Sequence, residues 1–310
     1  MKSFFRNNQA MRVGLALRQD QFSLIKLKQT AEKRSLESFA SIDLPAGSIV
    51  DGKVNHHTQV LHAIKKLVDI TESHNCVAAI SLQASSVINK RITLPSYLNE
   101  LECETELTTN LAYYFPGIQE ELSVDFVRGE YDASENTALL IAARTEQINA
   151  YIFAAEQAEL KIRVVDVDLY AIARAIYFAN RFATSQRIAI LDIDTNTAQL
   201  IVLLAKKIIF THQVMIHSDD ALAQQLKRAL QLFSTATEQS SIEKIFLTGK
   251  VDLITHAKQL IEEELLLEAE LANPFNYVES EPAISRDVLQ RTAPEFLTAF
   301  GLTLRSYPRW

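Results

Sequence analysis

Residues 187–215 read RIAILDIDTNTAQLIVLLAKKIIFTHQVM. Three apolar runs, 187–193, 198–204 and 207–215, are joined by short polar connections. Runs of this length, rich in β-branched residues, read as a three-stranded meander. Downstream the periodicity turns helical. An amphipathic helix is expected over 219–232, a strand over 242–248 and helices over 253–266 and 293–304. The last carries Phe296, Leu297, Phe300, Leu302 and Leu304. Upstream, the same order has already occurred once. Residues 12–17 and 21–27 form a hairpin across the polar turn 18–20, and a third strand covers 36–43. A helix over 58–71 follows, with Val60, Leu61, Ile64, Leu67 and Val68 on one face. The run 76–81 is apolar on both faces, as in the middle of a covered sheet. Two regions therefore open alike, duplicating an architecture without duplicating a sequence.

Between them the texture changes. A strand over 86–94 ends at Pro95, and an acidic helix over 100–114 is stopped by Phe115-Pro116-Gly117. Strands follow over 122–130 and 137–143, then a helix over 145–158 with Thr145 as its N-cap, then a strand over 161–168. The order β-α-β-β-α-β is a compact α+β unit, expected as a subdomain inserted into the first lobe. A helix over 169–182 leads into the second sheet. The expected domains are a first lobe of 11–85 with 169–186 and 293–306, an insertion of 86–168 and a second lobe of 187–292.

The 310 residues are 48% hydrophobic and 22% charged, enough for a sizeable core. A net charge of -7 speaks against a broad nucleic-acid footprint. Cys76 and Cys103 sit in no metal or redox spacing, which fits a reducing compartment. Lys2 and Arg6 precede no apolar stretch of the secretory kind, and the apolar run 200–205 is stopped by Lys206 and Lys207, so a cytoplasmic chain is expected. Only seven residues are glycine. Average usage of about 7% would give roughly three times as many. Glycine lets backbone N–H groups wrap a phosphate closely, so the scarcity weighs against a site built from several glycine loops.

Stretches across the chain resemble the PilM family, the actin-like, FtsA-related component of type IV pilus assembly. They are LPAGSIVDGKV at 44–54, INKRITLP at 88–95, YYFP at 113–116 and Asp125-Phe126. LIAAR at 140–144, AAEQAEL at 154–160, VVDVD at 164–168 and AFGLTLR at 299–305 complete the set. The resemblance implies an actin-like, two-lobed fold with an inserted subdomain of the FtsA kind. It also implies a cytoplasmic position peripheral to the inner membrane, with membrane contact only indirect. The implied partner is a PilN-like inner-membrane protein, whose N-terminal tail lies in a groove. Contact with pilus motor components and self-association stay open.

In that superfamily two β-hairpins carrying Asp-x-Gly grip the phosphates of Mg-ATP, and a glycine pair receives the adenosine. The carboxylate orients the magnesium ion and the glycine admits the phosphates. Matched from Gly14, the first hairpin has Ala16 for the Asp, Arg18 for the Gly and Ser23 for a lysine, which leaves Arg18 a surface charge. The second hairpin keeps Asp192 but has Asp194 for the glycine, followed by Thr195 and Asn196. Two like charges in a partly dry cleft cost several kcal/mol. The turn is read either as an acidic β-turn or as a hard-oxygen cation site. The adenosine loop, Thr248-Gly249-Lys250, keeps one glycine of the pair, and its lysine is within reach of a phosphate. No catalytic residue and no metal site emerge, and the expectation is a pseudo-ATPase without cofactor.

The implied groove lies between the first lobe and the insertion. Ile88, Ile92, Leu94, Val165 and Val167 are candidates to line it, or plain core. Arg286, Arg291, Arg305 and Arg309 give the end of the chain a basic lean, read as helix-end decoration or as a surface for an acidic partner or lipid. His56-His57 reads as an exposed loop rather than a metal site. Rival readings are an ATP-dependent switch using Asp192, Thr195, Gly249 and Lys250, a type II secretion or DNA-uptake component, and a sugar or acetate kinase. The kinase needs a carboxylate where Ala16 stands.

Overall fold

The computed structural model describes residues 8–29, 34–95, 97–128, 137–180, 182, 186–216, 219–237, 242 and 244–308. The first sheet runs Lys161–Val167, Val77–Leu82, Val13–Leu17, Gln21–Gln29, Arg34–Asp43 and the short Glu279–Ser280. Val13–Leu17 is buried along its whole length because helices cover both faces of the sheet. His57–Thr71 and Thr145–Gln157 lie on one face, Asp168–Asn180 and Leu297–Thr303 on the other. The second sheet runs Lys207–Met215, Thr197–Leu204, Arg187–Ile193, Lys244–Gly249 and Glu268–Leu271. Asp219–Thr237 and Val251–Glu264 cover its outer face. In each sheet an antiparallel meander comes first, and the strand after the next helix returns parallel to the opening strand. The duplication expected from the sequence is thus a duplication of topology.

The inserted unit is smaller than expected. Its sheet has three antiparallel strands, Val87–Thr93, Thr137–Arg144 and Leu122–Arg128, with Thr137–Arg144 in the middle. Residues 129 and 130 of the expected strand 122–130 lie outside the described residues. Glu100–Thr109 and Leu111–Tyr114 cover one face of this sheet, around Leu94, Cys103, Leu107 and Leu140. The last two elements of the expected β-α-β-β-α-β unit go elsewhere. Lys161–Val167 pairs in parallel with Val77–Leu82, and Thr145–Gln157 packs on His57–Thr71. The two-sided apolar strand Val77–Leu82 needs a neighbour on its open side, and this strand supplies it.

Local chemistry explains the other differences. The acidic helix starts at a capping box, in which Asn99 accepts from Glu102 N at 3.0 Å and Asn99 N donates to Glu102 at 2.8 Å. It breaks at Asn110, after Thr108 and Thr109, which are weak helix formers. Thr145 is the first helical residue rather than the cap, and its hydroxyl meets Ser123 Oγ at 2.9 Å. The final helix opens with a 3₁₀ turn, Ala293–Phe296, because Pro294 lacks the N–H a continuous helix would use. Arg286–Thr292 and the strand Glu268–Leu271 have sequence patterns too short for the periodicity to show.

One continuous core, including Ile25, Leu169, Ile176, Ile190, Ile201 and Phe300, joins the two sheets through Asp168–Asn180 and Leu297–Thr303. The two helices touch at Gly301, where a Cβ would sit 1.9 Å from Ala171 O. Gly301→Ala is therefore expected to cost about 2–3 kcal/mol by overpacking, or to abolish folding. Gly47→Ala meets no atom within 4 Å and bears only the strain of its φ of +77°. Urea unfolding midpoints of the two variants should separate clearly.

Candidate functional site: a clamped cleft and an open trough

The turns of the two hairpins face each other across the cleft between the sheets. The first closes through Arg18 N donating to Gln21 O at 3.1 Å, which places Arg18 and Asp20 at its tip. The second closes through Asp194 N donating to Thr197 O at 2.8 Å, with Thr195 N donating to Asp194 Oδ1 at 2.8 Å. Arg18 reaches across. Its Nη1 donates to Asp192 Oδ1 at 2.7 Å, its Nη2 donates to Ile193 O at 2.9 Å, and Asp194 Oδ2 lies 3.7 Å away. The Arg18 side chain is only 12% exposed. The expectation of a surface charge is therefore corrected: Asp192 and Asp194 draw the guanidinium into the cleft. The cost expected for two adjacent aspartates is met by the same group.

Further links tie the same surfaces. Thr195 Oγ1 donates to Asp20 Oδ2, and Lys250 Nζ lies 3.2 Å from Asp20 Oδ2 and 3.0 Å from Asp43 Oδ1. Lys250 thus serves protein carboxylates in the place where the sequence suggested a phosphate. Thr248 Oγ1 donates to Pro294 O at 2.6 Å, and Ser23 Oγ to Glu295 O at 3.4 Å. Gly249 adopts a φ of +129°, and a Cβ there would meet Ile193 O at 2.1 Å, so this glycine serves strand packing. Ala16 lies in the core and Asn196 accepts Ile216 N through its carbonyl. Asp20, Asp43, Asp168 and Glu295 were missed as members of the cluster. A signal existed: the first hairpin has an arginine at its glycine position while the second has a carboxylate at its own.

Burial sets the charges. It opposes the Arg18 guanidinium, but Asp192, Asp194 and Asp20 together raise its pKa. Burial pushes Asp168 up to about 7, helped by Asp192 and opposed by Arg18 and the Leu169 and Ala84 N–H groups. Burial likewise pushes Asp194 up to about 6, where it hydrogen-bonds Asp20. Asp20 feels burial too, but Thr195, Asp194, Lys250 and Arg18 outweigh it and hold the carboxyl below the ordinary range.

Arg18 crosses the line between the hairpins, and the cavity left beside it is about 40 Å³. Among the described residues no group of three or more His, Cys, Asp or Glu is placed to hold a metal.

A second feature lies between the first sheet and the inserted unit. Two adjoining cavities, about 610 and 280 Å³, share Asp51, Glu120 and Arg144. The hairpin of Ile49–Val50 and Lys53–Val54 overhangs them, pinned by Tyr151 OH donating to Gly52 O at 2.9 Å. Val50 and Ile88, 41% and 40% exposed, line one cavity each. The other groove candidates are core. Ile92 and Leu94 pack inside the inserted unit, Val167 between the two sheets and Val165 against the first-sheet core. Ile88 shares the strand face of Ile92 but lies outside the cluster that Glu100–Thr109 covers.

The family model described as type IV pilus assembly protein PilM matches residues 14–216 and 211–307. The chain belongs to the PilM family. Among solved structures, a PilM–PilN type IV pilus biogenesis complex aligns with a TM-score of 0.78 at 22% identity, over 94% of this chain and 97% of that one. A Bacteroides thetaiotaomicron protein with an actin-like ATPase fold aligns at 0.51 and 13%, over 89% and 95%. The cytoplasmic domain of EpsL, an inner membrane component of the type II secretion system of Vibrio cholerae, aligns at 0.51 and 12%, over 96% of both chains. At these identities the likeness is one of fold, and the fold is actin-like. No described helix is long and apolar enough to cross a membrane.

The cleft makes a pH prediction. Asp194 rises from an ordinary 3.8 to about 6, so the stability it contributes is full below 3.8 and lost as pH rises through about 6. Asp194→Asn should therefore flatten the fall in thermal stability between about pH 5 and pH 7. Arg18→Met strands the facing carboxylates and should cost about 3–5 kcal/mol at pH 7.5, and less at pH 5. Thermal unfolding of both variants at the two pH values reads the difference.

Proposed function

We propose that this PilM-family chain is a non-enzymatic adaptor of the type IV pilus assembly machinery. It sits in the cytoplasm against the inner membrane and holds the N-terminal tail of a PilN-like membrane protein. The membrane complex is thereby linked to the assembly motor. The observation that carries the reading is the contrast between the two sites: Arg18 fills the space between the phosphate hairpins, while the trough beside the 49–54 hairpin stays open. ATP binding would have to displace a nearly buried arginine and leave its aspartate partners unpaired, a cost of several kcal/mol. The trough asks for no such rearrangement. An extended peptide would lie along it, with apolar side chains on Ile88 and Val50 and main-chain hydrogen bonds supplying affinity. The PilM–PilN complex with which this chain shares its fold supports the choice of partner.

Two measurements test this. Calorimetry with Mg-ATP should show no saturating heat to about 1 mM, and micromolar binding would overturn the pseudo-ATPase reading. An N-terminal peptide of a PilN-like protein should bind, and Ile88→Asp with Val50→Asp should weaken it about tenfold or more, equivalent to about 1.4 kcal/mol. Absence of binding at high micromolar concentration defeats the adaptor.

A further inference from the structure

A third cavity, about 550 Å³, shares no lining residue with the trough or the cleft. Val127 of the inserted sheet forms one wall, and Tyr170, Arg174 and Phe178 of Asp168–Asn180 form the floor. Lys206, at the tip of the second-sheet hairpin, and Arg305, just after the last helix, close the rim. Lys206 is held there by the left-handed turn it makes with Ala205, at φ of 68° and 50°.

The lining is basic in a chain of net charge -7. It holds four cations, Arg34, Arg174, Lys206 and Arg305, against two carboxylates, Asp125 and Asp166. Those carboxylates are already engaged. Asp166 Oδ2 takes both Arg174 and Arg305, the second at 3.4 Å, and its Oδ1 accepts Val167 N at 2.9 Å. Asp125 Oδ1 accepts Phe126 N at 2.8 Å. One carboxylate oxygen therefore serves two guanidiniums, and positive charge is left over. The pKa of Arg174 falls accordingly, first through burial and then through Arg305, against the pull of Asp166. The Arg34 guanidinium stacks 5.3 Å from the Phe178 ring centre, which leaves an aromatic and cationic floor.

The wall also offers a strand edge. Among the described residues, Leu122–Arg128 pairs with Thr137–Arg144 and with no strand on its other side. Its outer N–H and C=O groups are a template for an added strand. Asp125 and Val127 alternate onto the cavity face, with Ile141 in register beside Asp125.

We propose that this groove takes an extended acidic segment of a partner protein, added along the outer edge of Leu122–Arg128. Its carboxylates meet Arg174, Lys206 and Arg305, and its apolar side chains rest on Tyr170 and Phe178. Charge complementarity selects the occupant, since the surplus cations ask for carboxylates. The concave form favours a peptide over a lipid headgroup surface, which is flat and would reach the rim alone. The segment would bridge the inserted unit and the second sheet. That makes this surface a contact separate from the trough.

The test is fluorescence anisotropy with the full chain and a short labelled peptide alternating glutamate and leucine, compared with its lysine counterpart. Saturable binding of the glutamate peptide is expected, weakening with added salt. Lys206→Glu with Arg305→Gln should weaken it about tenfold or more, and so should Val127→Asp alone. All variants should keep their thermal unfolding temperature within a few degrees and still bind the tail peptide in the trough. Three results overturn the proposal: equal binding of the two peptides, no binding at about 1 mM, or affinity unchanged in both variants. Capture of phosphatidylserine vesicles without peptide binding assigns the basic rim to lipid and overturns it too.

Discussion

A guanidinium in a nearly dry cleft needs carboxylates, and carboxylates there need a cation. Arg18 and Asp192 satisfy each other at 2.7 Å, one from each hairpin. The pair does more than fill space. It joins the two sheets at the point where an actin-like body would open, and Lys250 with Asp20 and Asp43 repeats the link nearby. Breaking the Arg18–Asp192 pair leaves a charge with little water around it, so the closed form is favoured electrostatically as well as by packing.

The charge balance of this cluster is incomplete, and protons supply the difference. Asp20, Asp168, Asp192 and Asp194 face two cations, Arg18 and Lys250. Burial then lifts Asp168 to about 7 and Asp194 to about 6, so part of the negative charge is neutralised near neutral pH. The Arg18 guanidinium supplies countercharge to both Asp192 and Asp194. The family fold is kept because its core does not depend on the cleft. Asp168–Asn180 and Leu297–Thr303 pack between the sheets through Gly301 and a row of aliphatic and phenylalanine side chains. Substitutions in the two hairpins can therefore coexist with an intact body and with a hairpin-covered trough.

Most strands and helices were legible because each was long enough to show its period. The meander at 187–215 and the amphipathic helix at 57–71 are examples. Sheet membership was not legible. Lys161–Val167 follows the inserted elements directly, and only the open side of Val77–Leu82 draws it into the first sheet. Groove residues failed for a related reason. Ile88 and Ile92 share one strand, yet Ile88 is 40% exposed and Ile92 is 8% exposed. Their burial depends on the helix laid over one side, and the strand's own sequence does not record that helix.

The sequence by itself determined the family and the duplicated α/β plan, and it puts Ala16, Arg18 and Asp194 where the hairpins would carry Asp-x-Gly, because these rest on residue identity at fixed spacing. The tertiary structure alone decided what those residues meet. Arg18 and Asp192 are 174 positions apart, and neither residue type announces the other. An arginine in a turn is a surface charge until the fold sets a buried and a partly buried carboxylate in front of it, where its attraction to them exceeds the cost of leaving water.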